Sequence, residues 1–193
     1  MQLEELLEKN DGLLMRADTL NHGVSNGTFY NFVKKKQLQK IAKGVYLAPD
    51  AYPDEMYVLQ TRYPRAIFSH DTALYLHDLS EREPVPLSVT VSSSYNAGSL
   101  SEGGTRVHYV KEPWYKLGMC VMDSPEGNPI RVYDRERTIC DTVRKRSAME
   151  PSAFNYAMRS YAQSRKKDLR RLGEYAEAMN IDSQVRDALE VLL

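Results

Sequence analysis

Cysteine is scarce in this sequence. Cys120 and Cys140 are its only two in 193 residues. They are too few and too far apart for a zinc cluster or a disulfide framework. Gly-rich phosphate loops and Cys-x-x-Cys pairs are also missing, which removes the commonest short signatures of nucleotide and redox chemistry. No apolar run approaches the roughly 20 residues of a membrane span. Excess charge of either sign is lacking too: 26 basic and 26 acidic residues cancel, so the chain as a whole is not a polycation. The opening MQLEELLEKN is acidic and amphipathic, unlike a signal peptide. A soluble, cytosolic protein is expected, with no membrane partner, no metal and no cofactor. A chain of this size buries roughly 70% of its unfolded surface, so it needs no metal or disulfide to fold.

Charge is present in blocks. Residues 1–49 are net +2, 50–134 net −5, 135–171 net +7 and 172–193 net −4. The two basic blocks are the places to seek an anionic partner. Between Asp18 and Asp50 there is no acid, and Lys34, Lys35, Lys36, Lys40 and Lys43 all lie there.

That stretch carries the most organised local pattern. Gly12 to Leu47 reads as helix, turn, helix and two-stranded ribbon, the order of a winged helix-turn-helix. The first helix is expected over Met15 to Asn21, with Leu14, Ala17 and Leu20 inward. Asn21-His22-Gly23 supplies its stop, since Gly accepts the left-handed backbone of a helix end. Ser25 is a favourable N-cap for the second helix, roughly Asn26 to Lys36. Val24 and Phe29 hold the N′ and N4 positions of a hydrophobic staple. Phe29, Phe32 and Val33 recur at helical spacing and face a core. Leu38 to Ile41 and Val45 to Leu47 form short strands around Ala42-Lys43-Gly44, the candidate wing.

A duplex carries one negative charge per roughly 1.7 Å of axis, so such a face attracts phosphates. Lysines at the end of a surface helix have a plainer reading, since the C-terminal dipole favours cations there. Helix, Gly turn, capped helix and basic hairpin together favour double-stranded DNA as the partner. Lys34, Lys35, Lys40 and Lys43 suit phosphate contacts. Asn26, Tyr30 and Asn31 are candidates for the base edges, Asn being able to pair adenine in the major groove, and Thr28 is a further DNA-binding candidate.

Beyond Leu47, helices are expected over Asp54 to Arg62 and Ser69 to Asp78, the latter capped by Ser69, with a short strand at Ala66-Ile67-Phe68 between them. The charged, Pro-rich EREPVP segment, Glu81 to Pro86, marks the expected boundary between domains at 1–80 and 81–193. Leu87 to Ser93 alternates as a strand. Tyr95 to Gly104 is a Ser/Gly loop, long enough to be mobile. Strands follow over Thr105 to Lys111, Leu117 to Met122 and Ile130 to Tyr133. Helices then follow over Arg137 to Arg144, Ser152 to Ala162, a third capped by Asp168, and Ser183 to Leu192. The fold class is therefore α+β: an N-terminal winged helix-turn-helix, then a mixed α/β domain ending in helices.

Two further groups invite chemistry. His70-Asp71 and His77-Asp78 lie seven residues apart on one helix, a pairing used by metal-dependent phosphohydrolases. Such a site needs another His and Asp in the same pocket, and the plainer reading places these residues at the two ends of a helix. Arg159, Arg165, Lys166, Lys167, Arg170 and Arg171 form a second basic group, either a solvated face or a second anionic contact. Arg137, Thr138 and Asp141 read as a structural hydrogen-bonding set. No catalytic residue is assigned.

Three stretches, GVSNGTFYNFVKKKQLQKIAKGVYLAP, RYPRAIFSHDTALYLHDLSEREP and DRERTICD, make the chain resemble the AbiEi family of antitoxins from abortive-infection toxin–antitoxin systems. The resemblance implies a winged-helix domain that represses its own operon at inverted repeats. It also implies a C-terminal domain opposing a nucleotidyltransferase toxin encoded beside it, without a stable complex, and it places the DNA-facing elements on Asn26 to Lys35 and the ribbon around Lys43. Without a heptad seam or an exposed apolar helix, a monomer in solution is expected. A ligand-sensing winged-helix regulator is the competing expectation.

Overall fold

The computed structural model of the chain describes residues 3–190. The end of the helix expected over Ser183 to Leu192 lies outside them. The chain divides into two compact units, one ending at Arg62 and one beginning at Tyr63. It is mixed α+β with two sheets. No helix among the described residues is long and apolar enough to cross a membrane.

The first unit runs α1 (Leu3–Lys9), β1 (Leu13–Met15), α2 (Arg16–Asn21), α3 (Asn26–Lys35), β2 (Gln39–Ala42), β3 (Val45–Leu47) and α4 (Glu55–Arg62). Its sheet has the antiparallel order β1-β3-β2. β1 departs from expectation. Met15 pairs with Val45 as a strand residue, so α2 begins one residue late and its faces turn. Thr19 is fully buried, while Ala17 and Leu20 face solvent. Thr19 tolerates this because its hydroxyl donates to the Arg16 carbonyl at 2.9 Å. The next helix is as its sequence dictates: Ser25 Oγ accepts from the Thr28 backbone at 3.2 Å. Phe29 is fully buried among Leu14, Leu38 and Tyr46, with Val24, Phe32 and Val33 packed alongside.

The second unit is built on a mixed five-stranded sheet in the order β6-β5-β4-β8-β7. Its strands are β4 (Ile67–Phe68), β5 (Ser88–Ser92), β6 (Arg106–Val110), β7 (Met119–Asp123) and β8 (Pro129–Tyr133). The expected boundary at 80/81 is corrected to 62/63. Ile67 and Phe68 form the middle strand, antiparallel to β5 and parallel to β8, so they cannot belong to a different unit. β5 does not alternate: all five of its residues are buried. The Tyr95–Gly104 loop contains α6 (Gly98–Glu102), anchored by the buried side chains of Ala97 and Leu100.

The remaining helices are α5 (His70–Leu76), α7 (Glu112–Tyr115), α8 (Arg135–Arg144), α9 (Pro151–Gln163), α10 (Leu169–Ala178) and α11 (Asp182–Leu189). α8 is central, buried from Glu136 to Val143. α5, α9, α10 and α11 all pack on it, and Ile139, Cys140 and Val143 join Phe154, Met158, Leu172 and Leu189 in one apolar cluster. Most of its buried polar groups are internally matched, Arg137 Nη2 excepted. Asp134 caps it by accepting from the Arg137 backbone at 2.8 Å. Glu136 accepts from the Asp168 backbone at 2.9 Å and from the Tyr161 hydroxyl at 3.3 Å. Thr138 donates to the Asp134 carbonyl at 2.7 Å. A helix can be buried all round with charges on it only where such partners exist.

Candidate nucleic-acid interface

The β2–β3 hairpin sets one edge of the candidate surface. Lys40 pairs with Tyr46, the register shifts by a bulge before Ala42, and Lys43-Gly44 turns the chain with Gly44 at φ +77°. A left-handed turn residue at this position is what glycine supplies at little cost. α3 sets the other edge. Its inward face is held by Phe29, whose ring meets those of Tyr30 and Tyr46 edge-on at 5.3 Å.

All eight side chains predicted from sequence are exposed in this unit: Asn26, Thr28, Tyr30, Asn31, Lys34, Lys35, Lys40 and Lys43. Those four lysines have no ion pair among the described residues. Lys36 differs, pairing with Glu4 at 3.4 Å and lying over Phe32, so its charge is directed back at α1.

One residue was missed. Arg16 opens α2, and its guanidinium donates to Asn26 Oδ1 from Nε at 3.1 Å and from Nη2 at 2.8 Å. It also lies over the Tyr30 ring at 5.8 Å, and its backbone N–H donates to the Gly44 carbonyl at 2.8 Å. Arg16 thus ties α2, α3 and the hairpin together. Asn26 Oδ1 is occupied by this contact, so the bidentate adenine pairing read from its sequence position requires Arg16 to let go. Sequence spacing could not show this, because Arg16 and Asn26 meet only once β1 has fixed where α2 starts. Thr28 is likewise engaged, its hydroxyl bonded to Ser25 Oγ at 2.9 Å.

The second basic group is partly consumed. Lys167 Nζ donates to the Ala162 carbonyl at 2.7 Å at the end of α9. Arg170 pairs with Glu174 at 2.9 Å, and Arg171 reaches Asp168 at 3.7 Å and Asp134 at 4.0 Å. Arg159, Arg165 and Lys166 are exposed and have no ion pair among the described residues.

The His-Asp pairs on α5 do not converge. His77 Nε2 donates to the Tyr133 carbonyl at 2.7 Å, Asp78 faces Arg135 at 3.9 Å, and Asp71 pairs with Arg106. Among the described residues no group of three or more His, Cys, Asp or Glu could hold a metal ion. His70 instead stacks on His108 from β6, centroids 3.5 Å apart and planes 14° from parallel. Parallel rings aim their nitrogens in parallel, so two of them cannot meet a metal at the roughly 2.0–2.1 Å that imidazole ligation needs. Ser69 is not the cap expected of it. Its hydroxyl accepts from Thr90 Oγ1 at 2.8 Å and bonds His70 Nδ1 at 3.0 Å.

No family model matches the chain, and no curated protein matches it. Among solved structures it is similar to the RV2827C protein from Mycobacterium tuberculosis. The TM-score is 0.61 at 10% sequence identity, over 96% of this chain and 75% of that one. At that identity the likeness is one of fold.

Proposed function

We propose that the unit ending at Arg62 is a winged helix-turn-helix that binds double-stranded DNA. On this reading the whole protein is a non-enzymatic, autoregulating antitoxin. One observation carries the DNA reading: α3 and the β2–β3 hairpin present four unpaired lysines and four polar or aromatic side chains, all exposed, on a stretch with no acid between residues 19 and 49. α3 acts as the recognition helix and the hairpin as the wing. Lys34, Lys35, Lys40 and Lys43 hold phosphates, while Tyr30 and Asn31 reach base edges beside Arg16 and Asn26. The antitoxin role rests on the sequence resemblance. It assigns repression at inverted repeats to the first unit and opposition to a nucleotidyltransferase toxin, without a stable complex, to the second.

The DNA reading is tested by mobility shift on the protein's own upstream region against random duplex. Equal affinity for both would remove the sequence-specific role. The antitoxin reading is tested by co-expression with the neighbouring gene product. Unrelieved growth arrest, with the antitoxin present in soluble form, would sink it. A ligand-sensing regulator is the second reading, favoured by a cleft of about 440 Å³ in the second unit.

A further inference from the structure

The stacked imidazoles of His70 and His108 line a cavity that the proposed function does not use. His70 is 9% exposed and sits at φ +51°, a left-handed backbone that a non-glycine residue holds only where its surroundings fix it. Thr90 donates to Ser69, whose own proton is then available for His70 Nδ1. In that arrangement His70 carries its proton on Nε2, and Nε2 has no partner among the described residues. His108 makes no hydrogen bond there either, and its Nε2 is buried. A buried polar nitrogen without a partner is costly, and His108 Nε2, beside the stacked His70 ring, calls for a ligand.

The surroundings say which kind. Burial, followed by the charges of Lys145, Arg137, Arg144 and Arg106, holds His70 down at about 3. His108 is held at about 3 by burial, then by His70, Lys145 and Arg106, against the opposing pull of Asp141. Both rings are neutral donors or acceptors in a field of cations. Asp141 is already matched by Arg137 at 3.1 Å and Arg144 at 3.7 Å, and Asp71 by Arg106. Lys145 has no ion pair among the described residues.

His70, Asp71, Arg106, His108 and Lys145 line a cavity of about 270 Å³. Asp71, Leu74, Arg106 and Met149 also line the 440 Å³ cleft, whose walls include Leu79 and Tyr156. A cationic, imidazole-lined end continues into a larger, partly apolar space.

We propose that this cavity binds a phosphate group of a small molecule, its oxygens accepting from His70 Nε2 and His108 and facing Lys145 and Arg106. A phosphate carries about −1.5 to −2 charge and three strong acceptor oxygens, which suits two ring donors and two cations better than a single carboxylate does. The adjoining cleft has room for the body of a phosphate ester. A duplex backbone phosphate, held in its strand, does not reach a buried His108 Nε2. The proposal does not depend on the DNA reading.

The test uses the full chain. Inorganic phosphate, a nucleoside monophosphate and the matching nucleoside are titrated against chloride at equal ionic strength, with the imidazole nitrogens followed by NMR. Phosphate is expected to shift the His70 and His108 resonances. Lys145→Gln, at an exposed position, should weaken binding by about tenfold, the loss of one charge-assisted contact. His108→Phe keeps the stacked ring and should do the same or more. Tighter binding of the monophosphate than of phosphate identifies an ester, and equal binding identifies free phosphate. Unmoved imidazole resonances at millimolar phosphate, phosphate affinity unchanged in Lys145→Gln, or displacement of bound phosphate by duplex DNA would each overturn the proposal.

Discussion

Arg137 is fully buried, and its Nε and Nη1 are committed while Nη2 has no hydrogen-bond partner. Nε donates to Asp141 at 3.1 Å, Nη1 donates to the carbonyls of Trp114 and Leu117, and the guanidinium lies over the Tyr133 ring at 4.1 Å. Gly118 leaves room for it: a Cβ there would come within 2.5 Å of Arg137 Cβ. Replacing Arg137 with Met would leave Asp141, which is 2% exposed, with only the longer contact to Arg144 at 3.7 Å. Breaking a buried pair in this way costs about 3–5 kcal/mol. The urea midpoint of Arg137→Met should fall accordingly, and Arg137→Met with Asp141→Leu should recover part of the loss. A single variant within about 1 kcal/mol of wild type would mean that the pair is not structural.

His70 and His108 give a second prediction at this scale. Their folded values, about 3, lie below the ordinary 6.5. The unfolded chain therefore binds more protons than the native one between those values. Stability is fully present above pH 6.5 and declines as pH falls below it. Each imidazole contributes a slope of up to about 1.4 kcal/mol per pH unit in that window. Asp134 and Asp141, raised by burial, act in the opposite sense above their ordinary 3.8, so the imidazole contribution is the difference in slope between wild type and His70→Phe with His108→Phe from pH 6.5 to 5. A urea midpoint equally steep in both would contradict the assignment.

Among the elements, α3 and its hairpin carry the DNA prediction. Each of Lys34, Lys35 and Lys43 changed to Ala should lower affinity on every sequence and reduce the salt slope by about 0.9. Arg16→Ala should weaken operator discrimination in particular, because it removes the guanidinium that ties α2 to α3 beside Tyr30. A salt slope unchanged by the three lysine variants would take them out of the interface. α3 was legible because its information is local: Ser25 at the cap, Phe29 one turn on, lysines at the exposed end. The same holds for Asp168, which accepts from the Arg171 backbone at 3.0 Å and starts α10 as expected. α2 was less legible. Its start depends on Met15 pairing with Val45, thirty residues away, and that non-local pairing overrode the helical pattern. Ser69 failed for a related reason, since Thr90 on a neighbouring strand claims its hydroxyl. The His70–His108 cavity was not legible at all, because β6 and α5 are brought together only by the sheet order.

At the scale of the whole molecule, the unit boundary decides which fragments can live alone. EREPVP has the composition of a linker, yet the chain on both sides of it belongs to one sheet. Ala66, Ile67 and Phe68 are fully buried between β5 and β8. Ser69 donates its backbone N–H to the Ser88 carbonyl at 3.1 Å, and the Ser88 N–H is bonded to Thr72 Oγ1 at 2.7 Å. Leu74 and Leu79 join the cluster around α8. Deleting residues 63–80 would therefore split the sheet at its centre and remove Ile67, Phe68, Leu74 and Leu79 from the core. At about 1.5–3 kcal/mol for each buried apolar side chain, the loss is comparable to the roughly 5–15 kcal/mol that holds a domain folded. A fragment of residues 63–193 should melt cooperatively, and a fragment of residues 81–193 should not. Sequence preference for DNA should stay with the fragment ending at Arg62, unaltered by extension to residue 80. Thermal melts followed by circular dichroism test the first pair, and a mobility shift tests the second. A cooperative melt in residues 81–193 matching that of 63–193 would move the boundary back to the Pro-rich segment, and would mean that β4 is dispensable to the sheet it bisects.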